Sequence, residues 1–190
     1  MLTDKPPRHK LRHQEYLRSD DLRTIKLSEA GLFQVHALRL EQALISDSQP
    51  EVKQAATTLS LALAETFQVQ PPLVRVLGSR PLKVSENSKT ELFGDYELET
   101  ARIRLWMRTA VHKKPTAFGT LLSTLCHEFC HHMDVVSLGF PNTFHTRGFY
   151  ERAALLYHHI RGTPFRQLIW VEQPNGAFRL NWAKTMHKNG

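Results

Sequence analysis

Cysteine is almost missing from this chain, with only Cys126 and Cys130 among 190 residues. Four apart in a stretch of helical period, the pair is poorly disposed to cross-link. A disulfide framework is therefore excluded, and a reducing, cytoplasmic setting is expected. Long apolar runs are missing as well. The longest apolar-leaning stretches, near Leu59–Ala64 and Leu121–Cys126, are broken by Ser and Thr, far short of the roughly 18 consecutive apolar residues of a membrane span. The opening MLTDKPPRHKLRHQEYLRSDD has charge but no apolar segment, so neither a secretory leader nor a membrane partner is expected. No internal repeat or low-complexity run is present.

Acidic residues are the last deficit, 18 Asp and Glu against 25 Lys and Arg, for a net charge of +7. The excess gathers at the ends: Lys5, Arg8, Lys10, Arg12, Arg18 and Arg23 in front, Lys184 and Lys188 behind. Such a balance permits contact with DNA through a basic N-terminal arm, and equally describes a solvated tail. With 41% apolar and 23% charged residues, the composition excludes a disordered polymer, a collagen-like repeat and a coiled-coil rod. One soluble domain with decorations remains.

Residues 1–25 have few large apolar side chains and a Pro6-Pro7 pair, which reads as an extended or mobile arm. From Leu27 to about Ile45, Leu32, Phe33, Val35, Leu38, Leu40 and Leu44 fall mostly at helical spacing, with Ser28 before Glu29 as a start and Asp47–Pro50 as a stop. A second helix fits Glu51–Phe67, pairing with the first. Leu73–Leu77 alternates as a half-buried strand does, and residues 78–92 read as polar and turn-rich. Leu92–Glu99 and Arg102–Met107 suggest a hairpin. A strong helical period returns from Ala117 to about Ser137, and a further helix fits Arg147–Ile160, stopped by Gly162 and Pro164. Leu168–Glu172 and Ala177–Trp182 flank Pro174-Asn175-Gly176, a second hairpin. The fold class is α+β, the helix from Ala117 packed with further helices and a small antiparallel sheet, with an arm over 1–25, a main domain over 26–162 and a hairpin extension over 163–190 packed on it.

The helix from Ala117 carries Cys126-His127-Glu128-Phe129-Cys130-His131-His132. His127 and His131, four apart, lie one above the other on one helix face. Two imidazoles so placed can grip one metal ion while Glu128, beside them, serves a water, which is the H-E-x-x-H pattern. Neutral imidazoles bind Zn²⁺ without cancelling its charge, leaving a cation able to acidify water, and the carboxylate can accept the proton and pass it to a leaving amine. Without further context, the competing reading is an amphipathic helix with surface histidines. His132 faces elsewhere and is expected at the surface or in a cap, and the two cysteines as small core hydrophobes. Asp134, one turn beyond His131, is placed either to orient a ligand imidazole or to sit exposed.

A catalytic zinc needs a third protein ligand. The metzincin continuation would place it six residues after His131, where Ser137 stands. Two candidates remain: His145, just before the next helix, and Glu151 inside it, at the sort of distance used by thermolysin-like peptidases.

His127-Glu128-x-x-His131 followed by His145, with Phe149 four later, resembles the SprT-like metallopeptidases, minimal zincins with a third His before a helix. Gly94-x-Tyr96 followed by Ile103-x-Leu105 is similar to the strand that edges their cleft. The resemblance covers about residues 27–160. Thr146 replaces the usual Gly after the third His, and no Cys-rich zinc ribbon follows. Family membership implies zinc held by His127, His131 and His145, Glu128 as general base, and hydrolysis of protein or peptide substrates. Strand addition along Arg102–Met107 is the expected mode of substrate binding. Tyr150, Tyr157, Arg147 and Arg152 are candidates to stabilise an oxyanion. A nucleic-acid-associated protein with a structural or regulatory metal, and a thermolysin-like peptidase using Glu151, are the rival readings.

Overall fold

A computed structural model describes residues 1–27, 31–85 and 88–187. Ser28 and Glu29, expected to start a helix, lie outside the described residues. Three helices come first: α1 (Lys10–Asp21), α2 (Gly31–Ile45) and α3 (Gln49–Phe67). Ser48 caps α3 by accepting from the Glu51 amide, with Pro50 in its first turn, so the residues expected to stop one helix start the next. On α2 the buried stripe is Phe33, Ala37, Leu40 and Leu44, while Leu32, Val35 and Leu38 are exposed. The 33–37–40–44 spacing follows one helix face, so only half of the expected apolar positions reach the core.

Next come strands β1 (Leu73–Ser79), β2 (Leu82–Ser85), β3 (Ser88–Glu91), β4 (Gly94–Glu97) and β5 (Arg102–Arg108). The β4–β5 hairpin forms with Gly94 opposite Leu105 and Tyr96 opposite Ile103. β1 pairs with β5 in parallel, Val74 beside Ile103, giving the order β1-β5-β4. The sheet is therefore mixed where a wholly antiparallel one was expected, and β5 is its centre. β2 and β3 form a separate hairpin within residues read as turn-rich.

Helices α4 (Phe118–Val136) and α5 (Arg147–Arg161) follow, then β6 (Trp170–Glu172), β7 (Phe178–Leu180) and α6 (Trp182–His187). The expected C-terminal hairpin is β6–β7, although Trp182 opens α6 instead of extending the strand. Leu121, Leu122, Leu125, Phe129 and Met133 bury the apolar face of α4 against α2, α3, the sheet and α5 in one core. This anchors α4 along its length and turns its histidine face towards the cleft. Among the described residues no helix is long and apolar enough to cross a membrane.

Residues 1–25 do not lie as an extended arm. α1 buries Glu15, Tyr16, Ser19 and Asp20, and its C-terminal carbonyls lie against Gly148 at the start of α5. A Cβ on Gly148 would fall 2.1 Å from the Ser19 carbonyl oxygen, so only glycine admits this approach. The helix is held by polar contacts. Glu15 accepts from the backbone and side-chain amides of Asn142 at 2.8 and 2.6 Å, Asp20 accepts from Arg147, and Arg152 donates to the Ser19 carbonyl at 3.0 Å. Residues 1–3 run beside β7, where the Thr3 amide donates to the Phe178 carbonyl and Leu180 to that of Met1.

Candidate metal centre

One turn of α4 separates His127 from His131, and the turn 138–146 returns the chain so that His145 meets them. The three Nε2 atoms are 3.0, 3.1 and 3.2 Å apart, close enough to hold a metal ion. Phe149, fully buried, packs against all three rings with centroids 4.4–5.1 Å away, and Tyr150 lies over His127 and His145.

Partners on the far side of two of the rings, His131 and His145, set their tautomers. Thr143 Oγ1 donates to Asp134 Oδ2 at 3.1 Å, so at 2.7 Å from His131 Nδ1 it accepts, and that nitrogen carries the proton. His145 turns Nδ1 towards Asp4 Oδ2 at 3.5 Å, and its backbone amide donates to the same oxygen at 2.9 Å. Both rings therefore direct Nε2 lone pairs to one point. Lone pairs packed at 3.1 Å repel unless a cation lies between them, so this donor set fits a metal. Burial pushes the His127 pKa down to about 3 and that of His131 to about 2, with the neighbouring imidazoles adding to both. The rings stay neutral at ordinary pH, the form a metal requires.

Thr143 holds His131 from a backbone at φ 39°, a sparsely populated conformation for a β-branched residue. Behind it, Asp134 Oδ1 accepts from Arg152 Nη2 at 2.8 Å, both side chains almost wholly buried. Asp134 thus orients His131, through Thr143, and is not exposed. Thr146 caps α5 by accepting from the Phe149 amide at 3.0 Å and meets Ser19 Oγ at 3.1 Å, which accounts for a hydroxyl beside the third histidine.

Glu128 is buried on the flank of this cluster. Burial and then Asp95 raise its pKa to about 8. A Cβ on Gly94 would lie 2.5 Å from Thr124 Cγ2 and 3.1 Å from Glu128 Oε1, so glycine lets edge strand β4 close on the carboxyl. A cleft of about 760 Å³ runs between β4 and α4, lined by Phe93, Gly94, Thr120, His127, Glu128 and Tyr150.

Glu151 does not join the cluster. Its Oε1 accepts from Arg23 Nη1 and Trp170 Nε1, each at 3.0 Å. His132, expected at the surface or in a cap, is buried, its Nδ1 meeting the Tyr96 hydroxyl at 3.0 Å and its Nε2 the Gln70 carbonyl at 2.7 Å. Cys126 and Cys130 are free and buried. Arg147 and Arg152 are spent on Asp20 and Asp134, leaving Tyr150 and Tyr157 at the cleft. β5 is flanked on both sides, so the strand open to the cleft is β4, not Arg102–Met107. Sequence reasoning missed Asp4 and Thr143, since neither has a motif and Asp4 lies 141 positions from its partner. No protein-family model, curated protein or solved structure matches the chain.

Proposed function

We propose that this chain is a zinc-dependent endopeptidase of the SprT-like, minimal-zincin kind, with His127, His131 and His145 holding zinc and Glu128 acting as general base. The observation that carries the reading is the convergence of three imidazoles, whose ligand atoms could hold one metal ion, beside a buried carboxyl in an open cleft. Bound zinc would polarise a scissile carbonyl and acidify water. A carboxyl with a raised pKa ionises beside a dication, so Glu128 is a base at neutral pH in the loaded protein. It takes a proton from water as the water oxygen attacks the carbonyl carbon, and returns it to the nitrogen as the C–N bond breaks. The outer edge of β4 offers main-chain groups to an extended peptide, and Tyr150 and Tyr157 offer hydroxyls at the cleft wall.

Three ligands and an open side favour catalysis over a structural role, for which four protein ligands are the rule. Glu151 is engaged elsewhere, which disfavours the thermolysin-like alternative. DNA contact through the N-terminal basic residues gains little support, since Arg12 and Arg18 lie over Phe144 and Phe140 and Arg23 pairs with Glu151. The test is hydrolysis of a panel of unfolded proteins by the zinc-loaded chain beside Glu128→Gln. Cleavage by the wild type alone supports the reading, and equal cleavage by both, or none by either, refutes it.

A further inference from the structure

Past His127 the cleft continues into a second cavity of about 610 Å³ between α4, α5 and the C-terminal segment. Ser123, His127, Tyr150 and Tyr157 line both hollows, so the metal cluster opens directly into it. Ala153, Ala154, Leu168 and Met186 supply apolar wall, while Arg161 and Arg166 stand at the rim. Arg161 lies over the Phe118 ring at 5.3 Å, and Arg166 Nη1 reaches Met186 Sδ at 2.9 Å. Arg23, Arg104, Arg147 and Arg152 each have a carboxylate partner. Among the described residues Arg161 and Arg166 have none, and of the arginines so left they are the two that line this cavity. His158, also on the wall, has its pKa lowered by burial and then by Arg166 and Arg161, so both guanidiniums bear on this one cavity.

Resting on the peptidase reading above, we infer that this cavity is a specificity subsite for a carboxylate on a short apolar stem next to the scissile bond. The carboxylate is either an acidic side chain or the C-terminus of the substrate. Two cations without a counter-charge beside an apolar wall complement that shape and sign. Alanines on α5 leave room for the stem, and His127 at the mouth sets the residue beside the reacting carbonyl.

The test uses the full zinc-loaded chain and quenched fluorescent peptides of one sequence, varied to Glu, Leu or Lys beside the cleaved bond. Each is made with a free and with an amidated C-terminus. The expected kcat/KM for Glu, or for the free C-terminus, exceeds that for Lys or the amide by about tenfold or more, a 1.4 kcal/mol difference. Preference for internal Glu identifies a side chain as the source, and preference for the free acid identifies the C-terminus. Arg161→Met with Arg166→Met should bring the ratio to about one, Lys at both positions should preserve it, and Glu at both should turn it towards Lys peptides. Equal rates across the peptides in the wild type, or a ratio unmoved by the double Met change in a variant of wild-type melting temperature, overturns the subsite. If no peptide is cleaved, the peptidase reading fails and the subsite is judged by fluorescence anisotropy of the same peptides. Tighter binding of the acidic peptide, lost in the double Met variant, supports it, and equal binding refutes it.

Discussion

Two of the three imidazoles ride on a long helix and the third on a turn, and their supports are built differently. His127 and His131 owe their alignment to the pitch of α4, whose other face is locked in the core. That register is local: an i, i+4 pair meets wherever the helix forms. His145 stands in a connection without regular structure, and its place depends on residues far away in the chain. Asp4 takes its backbone amide and faces its ring, Glu15 holds Asn142 three residues earlier, and Asp20 holds Arg147 two residues later. The helix half of the centre is thus written in one motif, and the turn half is assembled by the N-terminal segment.

Breaking the helix half strikes the chemistry and spares the metal. Glu128→Gln keeps zinc and fold and lowers peptide hydrolysis at least about 100-fold, as read by single-substrate kinetics alongside metal content. Breaking the turn half follows. His145→Ala abolishes hydrolysis and weakens zinc strongly, whereas Glu151→Gln leaves zinc bound. The reverse pattern in a zinc titration would move the third ligand into α5.

Each half also has its own support, Asp4 for His145 and Thr143 for His131. Asp4→Asn is expected to weaken zinc about tenfold, the lower end for partners of a ligating histidine, without changing the circular dichroism of α4. Thr143→Val should act similarly through His131. If neither shifts the zinc affinity, the two supports are ornamental.

The smallest effect is on stability in the metal-free state. His127 and His131 have folded pKa values below the ordinary 6.5, so their contribution is fully present above pH 6.5 and is lost as pH falls towards 3. Glu128 has a folded value raised to about 8 from 4.5, so its contribution is present below 4.5 and is lost as pH rises through 8. Together these groups give the chelated protein a maximum near pH 6.5. Urea unfolding across pH checks it, and Glu128→Gln should remove the alkaline fall alone.

What was legible in the sequence follows the same divide. The α4 stripe and the α5 start were readable because helical period and H-E-x-x-H spacing are local signals. Residues 1–25 were not, because α1 has little apolar period and is held instead by Glu15 to Asn142, Tyr16 to the Phe144 ring and Asp20 to Arg147, all far along the chain. The central place of β5 was hidden for a related reason, since parallel pairing with β1 leaves no turn to announce it. His132 looked superficial because its partners, Tyr96 and Gln70, come from other elements.

Metal analysis of the chain purified without chelator, combined with X-ray absorption, bears most directly on the three-histidine centre. The expected result is about one zinc per chain with three imidazole nitrogens at about 2.0–2.1 Å, and nearly none in His127→Ala. Full zinc retention by His127→Ala, or a wild type that takes up no zinc when it is supplied, would contradict it.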